Sequence, residues 1–403
     1  PLLLLDALST RVDSVALSSA GGTAVAARLG TLAFREVTLE QSGTSSEAVV
    51  LRGTTATIDG SVFRAGSFGS QRAIAIDMRD AASLTVNASR IEAYGLSRAT
   101  AVSAANSSLE VAGSTLRVGS SRGNAQAISA RDGGVLLETS VLQADEQTQV
   151  ANLLVSRDGT LAVIDSVLEL SADQGAVGIV ASGGQIDVRG SRFLGTSLND
   201  FTYGIQARGI EGLFVNNVFQ AGLVGEYIAG SLVDSPSQWT HNTFLGFRAS
   251  PFVQILNLRG QGRTLFGNNL AVQGAIGAGT GVALAGGHRL EMRGNLFGGW
   301  ETIVTSGGRE ISSLALLESD RVQGVVARDN ATIPPDGIVG RDGVSYRLTP
   351  NSQAIDRGVE LPGSEEVSFD IDGQRRPAPV PPDGSFRRAY EGRPDVGADE
   401  YYP

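Results

Sequence analysis

The chain has 403 residues, 52 of them Gly, and a net charge of −10 at pH 7, a balance that disfavours nucleic acid as a partner. It contains no Cys, which excludes a disulfide framework and thiol catalysis. It also contains no Lys, so every basic side chain is an Arg, and Lys bases and Schiff-base nucleophiles are excluded as well.

Residues 1–30 fit the pattern that follows only loosely, at Val15 and Leu17, and read as an N-terminal coil or cap that seals a core and its strand edges. Leu2–Leu5 is too short to span a bilayer, and no basic-then-apolar leader is seen. An opening on Pro1, without Met, reads as a processed or trimmed segment.

From residue 31 to 308 one unit recurs: a short apolar strand, a Ser or Asn, then an apolar residue two positions later. These apolar anchors are Leu39, Phe63, Ile91, Leu116, Leu142, Leu168, Phe193, Phe219, Phe244, Leu270 and Phe297, spaced 24 to 28 residues apart. So steady a period is the signature of stacked repeats. Five residues before the anchors stand Ile58, Val86, Val111, Leu137, Val163, Val188, Phe214, Trp239, Leu265 and Met292. The column seven before is mostly apolar and the one between them largely polar, the alternation of a strand with one buried face.

Two residues before the anchors stand Ser61, Ser89, Ser114, Ser140, Ser166, Ser191, Asn217, Asn242, Asn268 and Asn295. A small hydrogen-bonding side chain at one fixed site suits a tight bend, and stacked copies can bond up the column. A third apolar run follows each anchor, as in Ala73–Met78 and Ala125–Ala130. Three short strands per repeat leave no room for the βαβ unit of about 30 residues. The predicted fold is all-β, a right-handed single-stranded parallel β-helix of about eleven to twelve coils, stacked about 4.8 Å apart into a rod on the order of 55 Å long.

Beyond residue 308 the composition changes. All Pro residues except Pro1, Pro236 and Pro251 follow residue 330, and Pro cannot donate to a strand ladder, so residues 309–403 read as an irregular C-terminal capping segment. It holds Ser352-Gln353-Ala354-Ile355-Asp356-Arg357-Gly358, then Asp370-Ile371-Asp372-Gly373-Gln374-Arg375-Arg376-Pro377, then Asp395-Val396-Gly397-Ala398-Asp399-Glu400. This order resembles the C-terminal end of bacterial extracellular right-handed parallel β-helix proteins. Their pattern is Ser-Pro-Ala-Ile-Asp-x-Gly, Asp-x-Asp-Gly-x-x-Arg-Pro and a closing Asp-Ile-Gly-Ala-x-Glu. Gln353 departs from that Pro and Val396 from that Ile. The resemblance covers the tail by motif and the coils by architecture. It implies export and an extracellular or cell-surface life, often with an anchor further on, and no single activity.

The sharpest surface feature is an arginine column, eleven residues before the anchors: Arg52, Arg131, Arg157, Arg208 and Arg259, joined by Arg79 if its coil is one residue longer. Guanidinium forks match carboxylates, so the stripe is a candidate grip on an acidic polysaccharide. The competing reading is a turn, since Asp80, Asp132 and Asp158 follow three of them and offer charge partners. Tyr203, Tyr227 and Trp300, with Phe201, Phe247 and Phe252, lie outside the anchor column and are candidate sugar-stacking residues, or loop residues packed onto the coils.

Catalytic sets are harder to find. Asp59 and Glu138 share a column three coils apart, and Asp187 and Glu291 are separated by four, neither suiting a pair flanking one glycosidic bond. No acidic cluster on adjacent coils stands beside an Arg, as the lyases of this fold require, and Gly287-His288-Arg289 is a fragment of the hydrolases' Gly-His-Gly. His241 and His288 lack a third metal ligand and read as turn or core residues. Asp370-Ile371-Asp372-Gly373 is the one place for Ca²⁺, but it lacks the glutamate that closes an EF-hand loop, so no cofactor is expected. The expected protein is a secreted or surface-displayed structural, adhesive or polysaccharide-binding rod, its partner an extracellular polysaccharide or envelope component, with self-association open. The alternative is a pectate-lyase-like lyase or a glycoside hydrolase with its site on the flank of the C-terminal coils.

Overall fold

The coil containing Ser83–Asn87, Arg90–Gly95 and Arg98–Ala105 shows how the sequence builds the structure. Leu84, Val86 and Ile91 point inward and are fully buried, and the next coil lays Leu109, Val111 and Leu116 over them in parallel register. The same pairing repeats in each coil of the computed structural model, an all-β parallel solenoid of about 11 turns. It describes all residues except 1–2, 6–8, 196–200, 223–225, 247–251, 274–278, 320, 336–345, 362–368, 377–392 and 401–403. Two compact units make it up: residues 1–186 with 194–206, and residues 187–193 with 207–403.

The bend between the first and second strands is set by backbone shape. Glu36, Gly60, Ala88, Gly113, Thr139 and Asp165 in the first unit, and Gly190, Asn216, His241, Asn268, Gly294 and Asp329 in the second, all have φ between 46° and 63°. This left-handed conformation turns the chain in one residue, and the residue after it carries the predicted ladder. In the first unit each ladder serine accepts the N–H of the equivalent residue one coil earlier: Val37 N to Ser61 Oγ, then Ser61 to Ser89, Ser89 to Ser114, Ser114 to Ser140 and Ser140 to Ser166, at 3.0–3.2 Å. Each N–H opened by the bend is thereby satisfied.

In the second unit asparagine takes over. Ser191 N donates to Asn217 Oδ1, and the series continues through Asn242, Asn269, Asn295 and Asn330. The longer side chain adds a bond, its Nδ2 donating to a carbonyl of the neighbouring coil, as from Asn217 to Val188 O and from Asn242 to Phe214 O. Its core is aromatic, with Phe219 stacked between Phe193 at 4.6 Å and Phe244 at 5.2 Å, and Phe214 on Trp239 at 4.1 Å.

One coil departs from the predicted register. The rung is Asn269 rather than Asn268, the inward strand residue is Phe266 rather than Leu265, and the anchor over Phe244 is Ala271 rather than Leu270. Leu270 points outward yet is fully buried, because residues of the tail cover it. The ladder also runs further than residue 308. Val325–Arg328 pairs with Arg289–Arg293, and Ala331–Ile333 with Leu296–Gly298, after an insertion holding the short helix Leu314–Leu317 capped by Ser313.

Candidate ligand-binding face

The arginine column is real but broken. Arg28, which belongs to the stretch read as a cap, stands over Arg52, and Arg52 over Arg79, on three successive coils. Ala105 interrupts the column before Arg131 and Arg157, which again stack. In the second unit the rung beside Arg259 is Val233, so Arg208 and Arg259 are not neighbours.

The bend between the third strand and the first strand of the next coil follows the column directly. Asp80, Asp132 and Asp158 take positive φ there, at 60°, 53° and 53°, which explains why Asp follows Arg: short polar side chains tolerate the left-handed region. The turn of the competing reading is present, but its charge pairing is not general. Arg79 is ion-paired with the buried Asp77, and this contact raises its pKa. Arg28, Arg52, Arg131 and Arg157 have no carboxylate within 4.0 Å among the described residues. Arg259 Nε donates to Asn257 Oδ1 at 3.1 Å.

Arg28, Arg52 and Arg79 share a cleft of about 230 Å³, walled by Thr23, Val50 and Glu47. Its lining is one carboxylate against three guanidinium groups, one of them already tied to Asp77. The space can therefore receive an anion, with bidentate donors on Arg28 and Arg52 uncommitted.

The aromatic candidates divide between the units, and in the second Tyr227 and Trp300 line one small pocket. In the first unit Tyr203 is half-buried, edge-on to Phe201 at 5.4 Å, and Phe201 is 39% exposed. In the second, Tyr227 is 2% exposed, with burial pushing its hydroxyl far up; it is a core residue and offers no face to a sugar. Trp300 is half-buried, its Nε1 donating to Ala271 O at 3.0 Å. Phe247 and the side chain of Phe252 lie outside the described residues.

Two of the four carboxylates considered for catalysis are engaged elsewhere. Asp187 pairs with Arg189 at 2.7 Å; Glu291 is held between Arg263 and Arg293, which lower its pKa. No group of three or more metal-ligating side chains occurs among the described residues. Both histidines are buried: His288 Nε2 meets Thr264 Oγ1 at 2.9 Å, and His241 Nε2 meets Asn268 Nδ2 at 3.1 Å. Burial, with Arg376 acting in the same direction, holds His241 well below its ordinary pKa.

The three tail motifs converge on the side of the second unit's coils. Arg376, buried, donates to Asp395 O at 3.2 Å, Gly397 O at 2.7 Å and Asn216 Oδ1 at 3.1 Å, and is ion-paired with Glu400. Asp395 Oδ1 accepts Asp356 N, and Asp399 Oδ2 accepts Leu348 N. Asp370 Oδ1 accepts the N–H groups of Asp372 and Gln374, and its Oδ2 that of Glu400. Asn268 clamps Val359 through both its N–H and its carbonyl, and Thr243 Oγ1 accepts Ala398 N.

No protein-family model matches the sequence, and no curated protein matches it. Among solved structures, the chain is similar to the catalytic unit of the thermostable GH87 α-1,3-glucanase from Streptomyces thermodiastaticus strain HF3-3, with 12% identity and a TM-score of 0.30. That match covers 74% of this chain and 63% of the glucanase unit, so the chain spans less than two thirds of its length. It is also similar to PfbA, a surface adhesin of Streptococcus pneumoniae, with 9% identity and a TM-score of 0.28, over 72% of this chain and 87% of that one. One is an enzyme and the other an adhesin, and likeness at this level carries neither activity over.

Proposed function

We propose that the protein is an exported, extracellular or surface-displayed bacterial solenoid that binds an acidic polysaccharide along the arginine rungs of its first unit. The observation that carries this reading is Arg28, Arg52 and Arg79 on three successive coils over one cleft, with Arg28 and Arg52 unpaired among the described residues. In a chain of net charge −10, such a stack is a local inversion of sign that a purely structural stripe does not need. Rungs repeating at about 4.8 Å present charge periodically, as a polymer with a carboxylate on each sugar does. Guanidinium forks hold carboxylates by two parallel bonds, which gives register as well as attraction. No helix among the described residues is long and apolar enough to cross a membrane.

The test is binding to polygalacturonate, alginate and heparin by calorimetry at two salt concentrations, comparing the natural chain with Arg28→Gln/Arg52→Gln. Loss of two charge-assisted forks weakens affinity by about tenfold or more and flattens the salt dependence. Unchanged binding to every acidic glycan makes the stripe structural. The rival reading, a lyase or hydrolase working at the C-terminal coils, predicts shortened chains in the same mixtures, which product analysis detects.

A further inference from the structure

We propose a second carbohydrate site in the first unit, an aromatic shelf made by Phe68 and Tyr94 that takes the face of a neutral hexose. It lies in the connection between the second and third strands of the coil, a different corner from the one carrying the arginine rungs, which precedes the first strand.

Phe68 is placed by its own loop. Ser67 N donates to Ser70 Oγ at 3.0 Å and Ser70 N to Ser67 O at 2.9 Å, closing a turn that puts Phe68 at its outer corner. The ring then lies back over the following coils. It meets Tyr94 at 5.3 Å between centroids, tilted by 54°, and reaches Gly119 one coil beyond. A Cβ at position 119 would come within 2.8 Å of Phe68 Cζ and 3.0 Å of Tyr94 Cδ1, so glycine there lets both rings rest on the backbone. Both residues are half-buried, so part of each ring stays open to solvent.

Around Tyr94 stands a set of locked ionic groups. Glu92, fully buried, is held by Arg64 at 2.7 Å and ion-paired with Arg90; Arg64 also reaches Glu40 at 3.2 Å, and Arg117 holds Asp145 at 2.8 Å. Arg90, Glu92, Arg117 and Asp145 all act electrostatically on the Tyr94 hydroxyl. Three arginines stand against three carboxylates, so the patch is electrically neutral while keeping planar donors and acceptors fixed at its edge. An apolar ring face beside immobilised forks suits a pyranose, whose C–H face stacks and whose vicinal hydroxyls pair with carboxylate and guanidinium edges. A charged sugar gains no net attraction from a cluster whose charges already cancel.

The test is affinity gel electrophoresis with neutral polymers (β-1,3-glucan, dextran, galactomannan) and one acidic polymer, polygalacturonate. The natural chain is retarded by at least one neutral polymer, and Phe68→Ala weakens that retardation about tenfold, with Phe68→Leu falling between. Gly119→Val displaces both rings and gives the same loss. Arg28→Gln/Arg52→Gln leaves neutral-polymer binding intact, so failure of this site and failure of the arginine reading are separable. The proposal is overturned if no neutral polymer retards the natural chain, if Phe68→Ala changes nothing, or if it weakens acidic and neutral binding equally.

Discussion

Replacing Arg376 with Leu probes how the tail is held. Its side chain is 1% exposed, and its removal strands Glu400 and leaves the carbonyls of Asp395 and Gly397 and Asn216 Oδ1 short of a donor. Breaking a buried ion pair from one side costs about 3–5 kcal/mol, and because every partner is in the tail or on the coil it covers, the loss falls on tail docking. Urea unfolding gives the magnitude, and limited trypsin digestion at Arg347, Arg357 and Arg375 reports release of the tail. Arg376→Leu/Glu400→Leu, which removes both charges, recovers the part of the loss due to the stranded carboxylate but not the part due to the unpaired acceptors and Asp395 N. A pH series adds a signed check. Burial lifts Glu400 to about 7 from an ordinary 4.5, and Asp399 to about 6 from 3.8. A carboxyl whose folded pKa is raised binds its proton more tightly when docked. Docking is therefore strongest below the unfolded values and weakens as pH rises through about 6 to 7. Arg376→Leu steepens that decline, since Glu400 loses its countercharge. A single variant within about 1 kcal/mol of the natural chain, or a tail protected better at pH 8 than at pH 5, refutes the reasoning.

Substitutions at two further positions test the bends. Ala88 is held at φ 46° with no glycine's freedom, so Ala88→Gly stabilises by about 0.5–1 kcal/mol in urea unfolding, the left-handed penalty outweighing the added chain entropy; a loss of stability contradicts this. Asn242→Ala removes the bonds to Phe214 O and Asn269 Oδ1 and orphans the N–H of Asn217, costing about 2–4 kcal/mol. Asn242→Ser, which keeps an acceptor, costs less, and equal costs would mean the ladder satisfies nothing.

The coils of the first unit were legible because their inward column recurs coil after coil: Val86, Val111, Leu137 and Val163 are all fully buried. The serine rungs were legible for the same reason. Arg28 escaped because its coil reads as a cap when its apolar residues are small, Ala24, Val25 and Ala27. Asn330 escaped because the helix-bearing insertion puts it 35 residues from Asn295, outside the period. The Phe68 shelf left a trace in the column one after the anchors, where Glu40, Arg64, Glu92 and Arg117 alternate in sign and stack on successive coils. Charges alternating at the repeat period are invisible until the register is drawn, and then they are neighbours.

The misread coil has a more general cause. Binary patterning says that a side chain is buried but not by what, and Leu270 scores as core because it is core, shared with Leu348, Val396 and Ala398 of the tail instead of with the inside of the coil. Val218, Leu245 and Leu296 are outward residues of the same kind. Asn268 belongs with them, since its side chain serves Val359 rather than the ladder. The acidic residues of the tail motifs follow the same logic. Asp370 sits in the one stretch that suggests a Ca²⁺ loop in sequence, yet it, Asp395 and Asp399 each accept backbone N–H groups of another tail segment. The motifs are therefore half of an interface whose other half is written into the outward apolar column of the second unit, and each half is unreadable without the other.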